Sequence, residues 1–311
     1  MRRVSVANAA AGMVLCRPVY DSKGYPLIAA GEALPDGNLQ LLTRTAGAEL
    51  LVDDPRTQDI FVKSVFEPEL EAKAVQSLGA LLTALPPGPA TVQPGSLVGV
   101  AHTVKKMLDA VFPYVVGDVE VAGAHALEGR DAVHGVKVAE MALVVGRMAG
   151  LERDDLHALA MAAMLMNAGH RSLPEGLLDQ PRPLLPEEVE QLRTHPRLSL
   201  EALAASGLPR DAFLAIAQHH ERWDGSGYPA GRRGDEISPL ARILAVADAY
   251  VALLSERPHR HAMPAHDAIE FVLAYSGELF DPALVQIVAR QLPQYPTGIT
   301  VILSTGETGV V

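Results

Sequence analysis

The chain has 311 residues, 49% of them hydrophobic and 20% charged. That length exceeds one typical domain of ~100–200 residues, and the composition is rich enough in apolar residues to exclude global disorder. With 26 Lys and Arg against 37 Asp and Glu the net charge is −11, which makes the chain a poor general binder of DNA, RNA or anionic membranes, since these need a basic footprint. The one cysteine, Cys16, excludes an internal disulfide framework and a multi-cysteine zinc site. No window reaches the ~18 consecutive apolar residues of a membrane helix, and the cytoplasm is the expected location. Eleven histidines against six phenylalanines direct the search for chemistry to the histidines.

In chain order, residues 1–57 read as a small β-rich unit. Short apolar runs at Val4 to Val6, Met13 to Tyr20, Tyr25 to Ala29 and Glu49 to Val52 are strand candidates, and Asp21-Ser22-Lys23-Gly24 is a hairpin turn signal. Asn38 to Ala46 is a short helix candidate. Residues 58–119 read as a helical connecting region that starts at Gln58, with a Pro/Gly linker at 85–95 marked by Pro86-Pro87-Gly88-Pro89 and Gln93-Pro94-Gly95. Helical periodicity then resumes at Leu97 and continues to Leu292, with Ala-rich stretches carrying Leu, Met and Val at three- and four-residue steps. The series Met161, Met164 and Met166 fits a helix core. Residues 293–311 return to alternating strand character, and the chain stops within this β segment, which leaves room for a further C-terminal element.

The richest chemistry lies in His219-His220-Glu221-Arg222-Trp223-Asp224-Gly225-Ser226-Gly227-Tyr228-Pro229. Two adjacent histidines follow the helical run Phe213 to Gln218. On a helix, neighbours diverge by ~100°, so both imidazoles serve one centre only if each reaches a different side of it. The glycines that follow let the backbone bend close to a ligand.

This stretch resembles the signature of the HD-GYP family of cyclic di-GMP phosphodiesterases. The similarity continues through Ser238-Pro239-Leu240-Ala241-Arg242, Ala247-Asp248-Ala249-Tyr250, Ser255-Glu256-Arg257-Pro258 and Leu279-Phe280-Asp281-Pro282. It covers roughly residues 120–292, far more than one short motif. The resemblance implies a mainly α fold: an HD-domain-like helical bundle preceded by a small N-terminal β-containing domain and followed by a short C-terminal β segment. It also implies a divalent metal, iron or manganese, with His134, His195, His219, His220 and Asp248 as ligands. By the same resemblance Gly225, Gly227, Tyr228, Pro229 and Arg257 face the substrate.

The departure lies at the dyad for which the family is named. Where the family reads Leu-His-Asp-Ile-Gly-Lys, this chain reads Leu165-Met166-Asn167-Ala168-Gly169-His170, and Arg130 stands where some members place a further glutamate ligand. A thioether binds hard divalent metals poorly, and an amide offers one neutral oxygen where a carboxylate offers two and a charge. Two cations ~4 Å apart then repel by several kcal/mol with less compensation, even at an effective dielectric near 20. The expected centre is therefore reduced to one ion or none, with His195, His219, His220 and the Asn167 oxygen as the surviving set. His170 takes the place of a lysine beside the substrate phosphate, next to Arg171, and with Asn167 it is a candidate for the catalytic position. Trp223 fits a packed loop anchor.

Three functions follow as expectations. The first is a divergent cyclic di-GMP phosphodiesterase with weak or lost hydrolysis. The second is a non-catalytic receptor for cyclic di-GMP or a related nucleotide, or an adaptor for a GGDEF-domain partner. The third is a single-metal phosphohydrolase acting on another ester. A homodimer stays open.

Overall fold

The computed structural model describes residues 1–35, 42, 49–62, 64–85, 88, 91–113 and 130–311. The N-terminal unit is built from two antiparallel strand pairs. β1 (Arg2–Ser5) pairs with β4 (Glu49–Val52) in the register Arg2↔Val52 to Ser5↔Glu49, and β2 (Val19–Tyr20) forms a hairpin with β3 (Pro26–Ile28). Val4, Val6, Leu15, Leu34, Leu42, Leu50 and Val52 close a small apolar core of its own. The helix candidate Asn38 to Ala46 lies, apart from Leu42, outside the described residues.

The remainder of the described chain is mainly helical. The helices are α1 (Pro68–Ala84), α2 (Val98–Val111), α3 (Arg130–Met148), α4 (Arg153–Leu165) and α5 (Pro186–Leu192), followed by α6 (His195–Leu203), α7 (Arg210–Gln218), α8 (Pro239–Leu253), α9 (Ala265–Ala274) and α10 (Pro282–Gln291). A C-terminal hairpin of β5 (Thr300–Ile302) and β6 (Thr308–Val310) follows them. It returns to the chain start, where the Arg3 amide donates to Gly298 O at 2.7 Å and the Arg3 side chain to Thr297 O at 2.8 Å.

Helix α3 is the axis of the bundle. Its apolar residues do not form one stripe, and nearly every position from Ala132 to Gly146 is buried, as expected of a helix packed on all sides. It packs against α1, α2, α4, α8 and α10. The apolar residues of α1 and α2 belong to the same core, as does Val92, whose amide donates to Ala202 O at 2.6 Å.

The helix expected from Gln58 starts only at Pro68. Residues before it carry apolar side chains at suggestive spacing, and Val62, Val65 and Phe66 are buried, but the backbone is engaged elsewhere. The terminal amino group donates to Thr57 O and Ile60 O, and Arg17 donates to Val62 O at 2.6 Å and to Ser64 Oγ. Pro68, which lacks an amide hydrogen and has its φ preset, then opens α1 at the first-turn position where proline is best tolerated.

One charged group sits inside this apolar frame. Lys137 Nζ lies 2.8 Å from Glu71 Oε1 on α1 and 3.3 Å from Glu140 Oε2 one turn along α3. Glu140 is 2% exposed. Burial raises its pKa, the Glu71 charge adds to the rise, and Lys137 and Arg17 oppose it, leaving the carboxyl raised to about 7. An unfolded glutamate ionises near the usual ~4.3, so the folded state binds the extra proton between there and about 7. Stability from this group is complete below that window and is lost as pH rises through it. Glu140→Gln therefore flattens the pH dependence in this range, so that its stability relative to wild type rises from pH ~5 to pH ~8. Urea denaturation of both proteins at pH ~5 and ~8 measures it.

Candidate functional site

Two helix ends meet at one point. His195 opens α6, while His219 is the C-cap of α7 and His220 follows it. The two adjacent histidines thus lie where the helix has stopped. Their rings pack side by side with centroids 4.1 Å apart, and His195 lies 5.3 Å from His219 and 4.9 Å from His220. One nitrogen of each of the three falls within 4.8 Å of the others.

Hydrogen bonding assigns the tautomers. His195 Nδ1–H donates to Leu192 O and His219 Nδ1–H to Ile216 O, both at 2.8 Å. Their Nε2 atoms therefore carry bare lone pairs, and these face each other at 3.2 Å. Neither ring relieves this by protonation. Burial depresses the pKa of all three histidines, and the neighbouring imidazoles add to the effect at His195 and His220. Two acceptors held against each other without a proton are unfavourable. A cation between them removes the conflict, and nitrogens bound at ~2.1 Å in a tetrahedral arrangement lie ~3.4 Å apart. The donor set therefore fits a divalent metal.

His134 and Asp248 make a different arrangement. His134 Nε2 lies 2.7 Å from Asp248 Oδ1, and the buried Nδ1 of His134 has no partner among the described residues. Burial works against ionisation of Asp248, but the His134 hydrogen bond and the charges of His134, His220 and His219 outweigh it, holding the carboxyl well below its usual range. These two residues bond to each other and stand apart from the trio of converging nitrogens.

Residues 118–284, more than half of the chain, match the family model for the HD domain. The chain belongs to the HD-domain family. It is similar to the cyclic di-GMP phosphodiesterase response regulator RpfG of Xanthomonas campestris, with 38% identity over 173 residues, 54% of this chain and 46% of that protein. A 3'3'-cGAMP-specific phosphodiesterase 3 of Vibrio cholerae is 26% identical over 250 residues, 79% of this chain and 51% of its own. The chain spans about half the length of these curated relatives. Among solved structures, Bd1817, an HDG"Y"P protein from Bdellovibrio bacteriovorus, superposes with a TM-score of 0.54 at 14% identity, covering 92% of this chain and 97% of that one. It shares the fold.

Within this HD domain the dyad positions are occupied by Met166, fully buried in the main core, and by the half-buried Asn167. Met161 and Met164 are likewise core residues. His170 Nδ1 lies 3.0 Å from Asp131 Oδ1, and its ring stands edge-on to His195 with centroids 4.8 Å apart. Arg257 lies within electrostatic reach of Asp248 and Asp131, while Arg130 is committed to Leu178 O and Asp179. Arg171 is exposed. Arg260 donates to Ala252 O and Leu253 O at the end of α8, which is a capping role. Trp223 donates its amide to Leu279 O and lies beneath the Arg242 guanidinium, as a packed anchor would. Gly225 has φ +88°, and Gly227, Tyr228 and Pro229 follow in a loop folded back on the histidines.

Three contributors escape sequence reasoning. Asp131 partners His170 from another helix. Ser199, fully buried, donates to Met166 O at 2.6 Å and accepts from the Gly169 amide at 2.8 Å, tying the dyad segment to α6. Glu221 sits inside the motif itself, but nothing in its spacing announces a role.

Gly169 explains how α6 comes so near. A Cβ there would lie 2.4 Å from His195 O and 2.5 Å from the Ser199 amide nitrogen, both backbone atoms that cannot rotate away. Gly169→Ala should thus push the first turn of α6, with His195, off the site and cost about 1–3 kcal/mol. Chemical denaturation reads the loss, and an unchanged stability would show that α6 yields freely.

Proposed function

We propose that this chain is a divergent HD-GYP-type protein of cyclic di-GMP signalling that binds a cyclic dinucleotide beside a single divalent metal and hydrolyses it weakly or not at all. The observation that carries this reading is the contrast between the two halves of the histidine–carboxylate cluster. His195 and His219 present bare nitrogens to one another with the His220 ring beside them, whereas His134 and Asp248 are paired with each other and the residue before Asn167 is a buried thioether. The named activities of the relatives, cyclic di-GMP and 3'3'-cGAMP phosphodiesterases, supply the ligand class.

In this reading His195, His219 and His220 hold the metal, with Asn167 at its edge and Asp248 and His134 as an unused second half. The resemblance favours iron or manganese. Such an ion supplies positive charge and Lewis acidity for a phosphodiester. The chain's own residues do the remaining work. The loop Gly225 to Pro229 walls the site. Arg257 supplies a permanent cation for a phosphate. His170, oriented by Asp131, stands where a proton donor would be needed. Without a bridging carboxylate at position 167, a second cation has no anionic partner to offset its repulsion from the first. The proposed layout is a β-rich unit at 1–57, a connecting region at 58–119, the HD-GYP-type domain at 120–292 and a β segment at 293–311. The protein acts in the cytoplasm and passes its state to a partner such as a GGDEF-domain protein.

Restoring both dyad residues tests the reading. The Met166→His, Asn167→Asp double variant should raise metal content from one to two ions per chain and bring cyclic di-GMP turnover up to ordinary enzyme rates, ~1 s⁻¹ or faster. Each single change should give less than the pair, because ligands of one centre act together. Elemental analysis and product chromatography measure these. Two or three ions in the wild-type protein, with turnover at such rates, would overturn the proposal.

A further inference from the structure

His220 differs from its two partners. Among the described residues, neither of its ring nitrogens makes a hydrogen bond, whereas His195 and His219 are each locked by a backbone carbonyl. Its ring is held by stacking instead. Tyr228 lies over it with centroids 4.7 Å apart and planes 22° apart, and the Arg193 guanidinium lies over the Tyr228 ring at 5.4 Å.

What holds Tyr228 is the loop, and what holds the loop is Glu221. This carboxylate is 1% exposed and spends both oxygens on backbone amides of the loop's return, Ala230 N at 2.8 Å and Arg232 N at 2.9 Å. The Tyr228 amide donates to His220 O at 3.1 Å. Gly227 lies flat on the backbone beneath it: a Cβ there would meet Arg222 N at 2.3 Å, Glu221 Cα at 2.5 Å and His220 O at 2.5 Å. The loop is thus pressed onto residues 220–222 and shut at its base by the side chain that directly follows His220. Two amide hydrogen bonds to one carboxyl group are directional, so the clamp fixes the backbone that carries the tyrosine.

We infer that Glu221 is a positioning residue that acts through the Gly-Tyr-Pro loop, setting the Tyr228 ring against His220 so that this imidazole points with the other two toward one metal. This rests on the single-metal reading above. It gives the loop a task that does not depend on hydrolysis: it does for the third ligand what Leu192 and Ile216 do for the first two. Groups that orient metal ligands from behind commonly affect affinity by roughly 10–100-fold.

Cobalt(II) is the probe, because its visible absorption reports ligand number and geometry. The full chain is titrated as wild type, as Glu221→Ala, Tyr228→Ala and Tyr228→Phe, and with His220→Ala as the reference for a lost ligand; a melting curve accompanies each. Glu221→Ala and Tyr228→Ala should weaken cobalt binding by roughly 10–100-fold and move the spectrum toward that of His220→Ala. Tyr228→Phe, which keeps the ring, should recover most of the affinity. The double Glu221→Ala, Tyr228→Ala variant should lose little more than either single one, since both act on one ring. If Glu221→Ala does not fold, Glu221→Gln, which keeps one acceptor, and Tyr228→Ala carry the test. Wild-type affinity and spectrum in folded Glu221 and Tyr228→Ala variants, while His220→Ala binds poorly, would sink the inference and leave the metal reading intact. No cobalt uptake by the wild type would overturn both. A lower melting temperature without spectral change would show a merely structural clamp and also count against it.

Discussion

Leu192 and Ile216 each place a carbonyl oxygen 2.8 Å from the Nδ1 of a histidine three residues further on. These two bonds decide the character of the whole cluster. They consume the proton that each neutral imidazole has, so the nitrogens left facing inward are acceptors only, and burial keeps them from gaining a second proton. A core that merely tolerated histidines would pair these nitrogens with donors. Here they face each other, and the elements that bring them together, the start of α6 and the end of α7, are held from behind by Gly169, Ser199 and the main apolar core.

The other half of the cluster obeys the opposite logic. His134 Nε2 and Asp248 pair directly, while the buried Nδ1 of His134 has no partner among the described residues. Met166 is fully buried in the main apolar core. One half comes from the start of α6 and the end of α7, the other from α3 and α8.

The site is carried by a bundle whose axis is buried on all sides. Helix α3 buries almost all of its surface, and the Lys137, Glu140 and Glu71 group is accommodated inside it by mutual pairing. Desolvation makes an ionised carboxylate costly there, while the lysine between the two glutamates keeps the cost finite. The N-terminal β unit, with its own small core, is joined to this bundle through Arg17 and through the Gln76 side chain, which donates to Gly24 O at 2.5 Å.

The sequence by itself determined the class of the fold. Helical periodicity, strand alternation near both ends and the long run of motif residues are local properties, and the matching elements appear where that local pattern is strong. The resemblance to the HD-GYP signature supplied the expected ligands and the replaced dyad, and residue type then set their softness and charge. Where local pattern misled, as from Gln58 to Phe66, tertiary partners had claimed the backbone carbonyls before a helix could. Only the tertiary structure decided which ligands act together. That His134 turns to Asp248, that His195 and His219 present bare nitrogens and that His220 depends on Tyr228 and the Glu221 clamp are matters of direction. Direction is set by carbonyls, rings and amides brought together from distant parts of the chain, and spacing along the sequence carries no record of it.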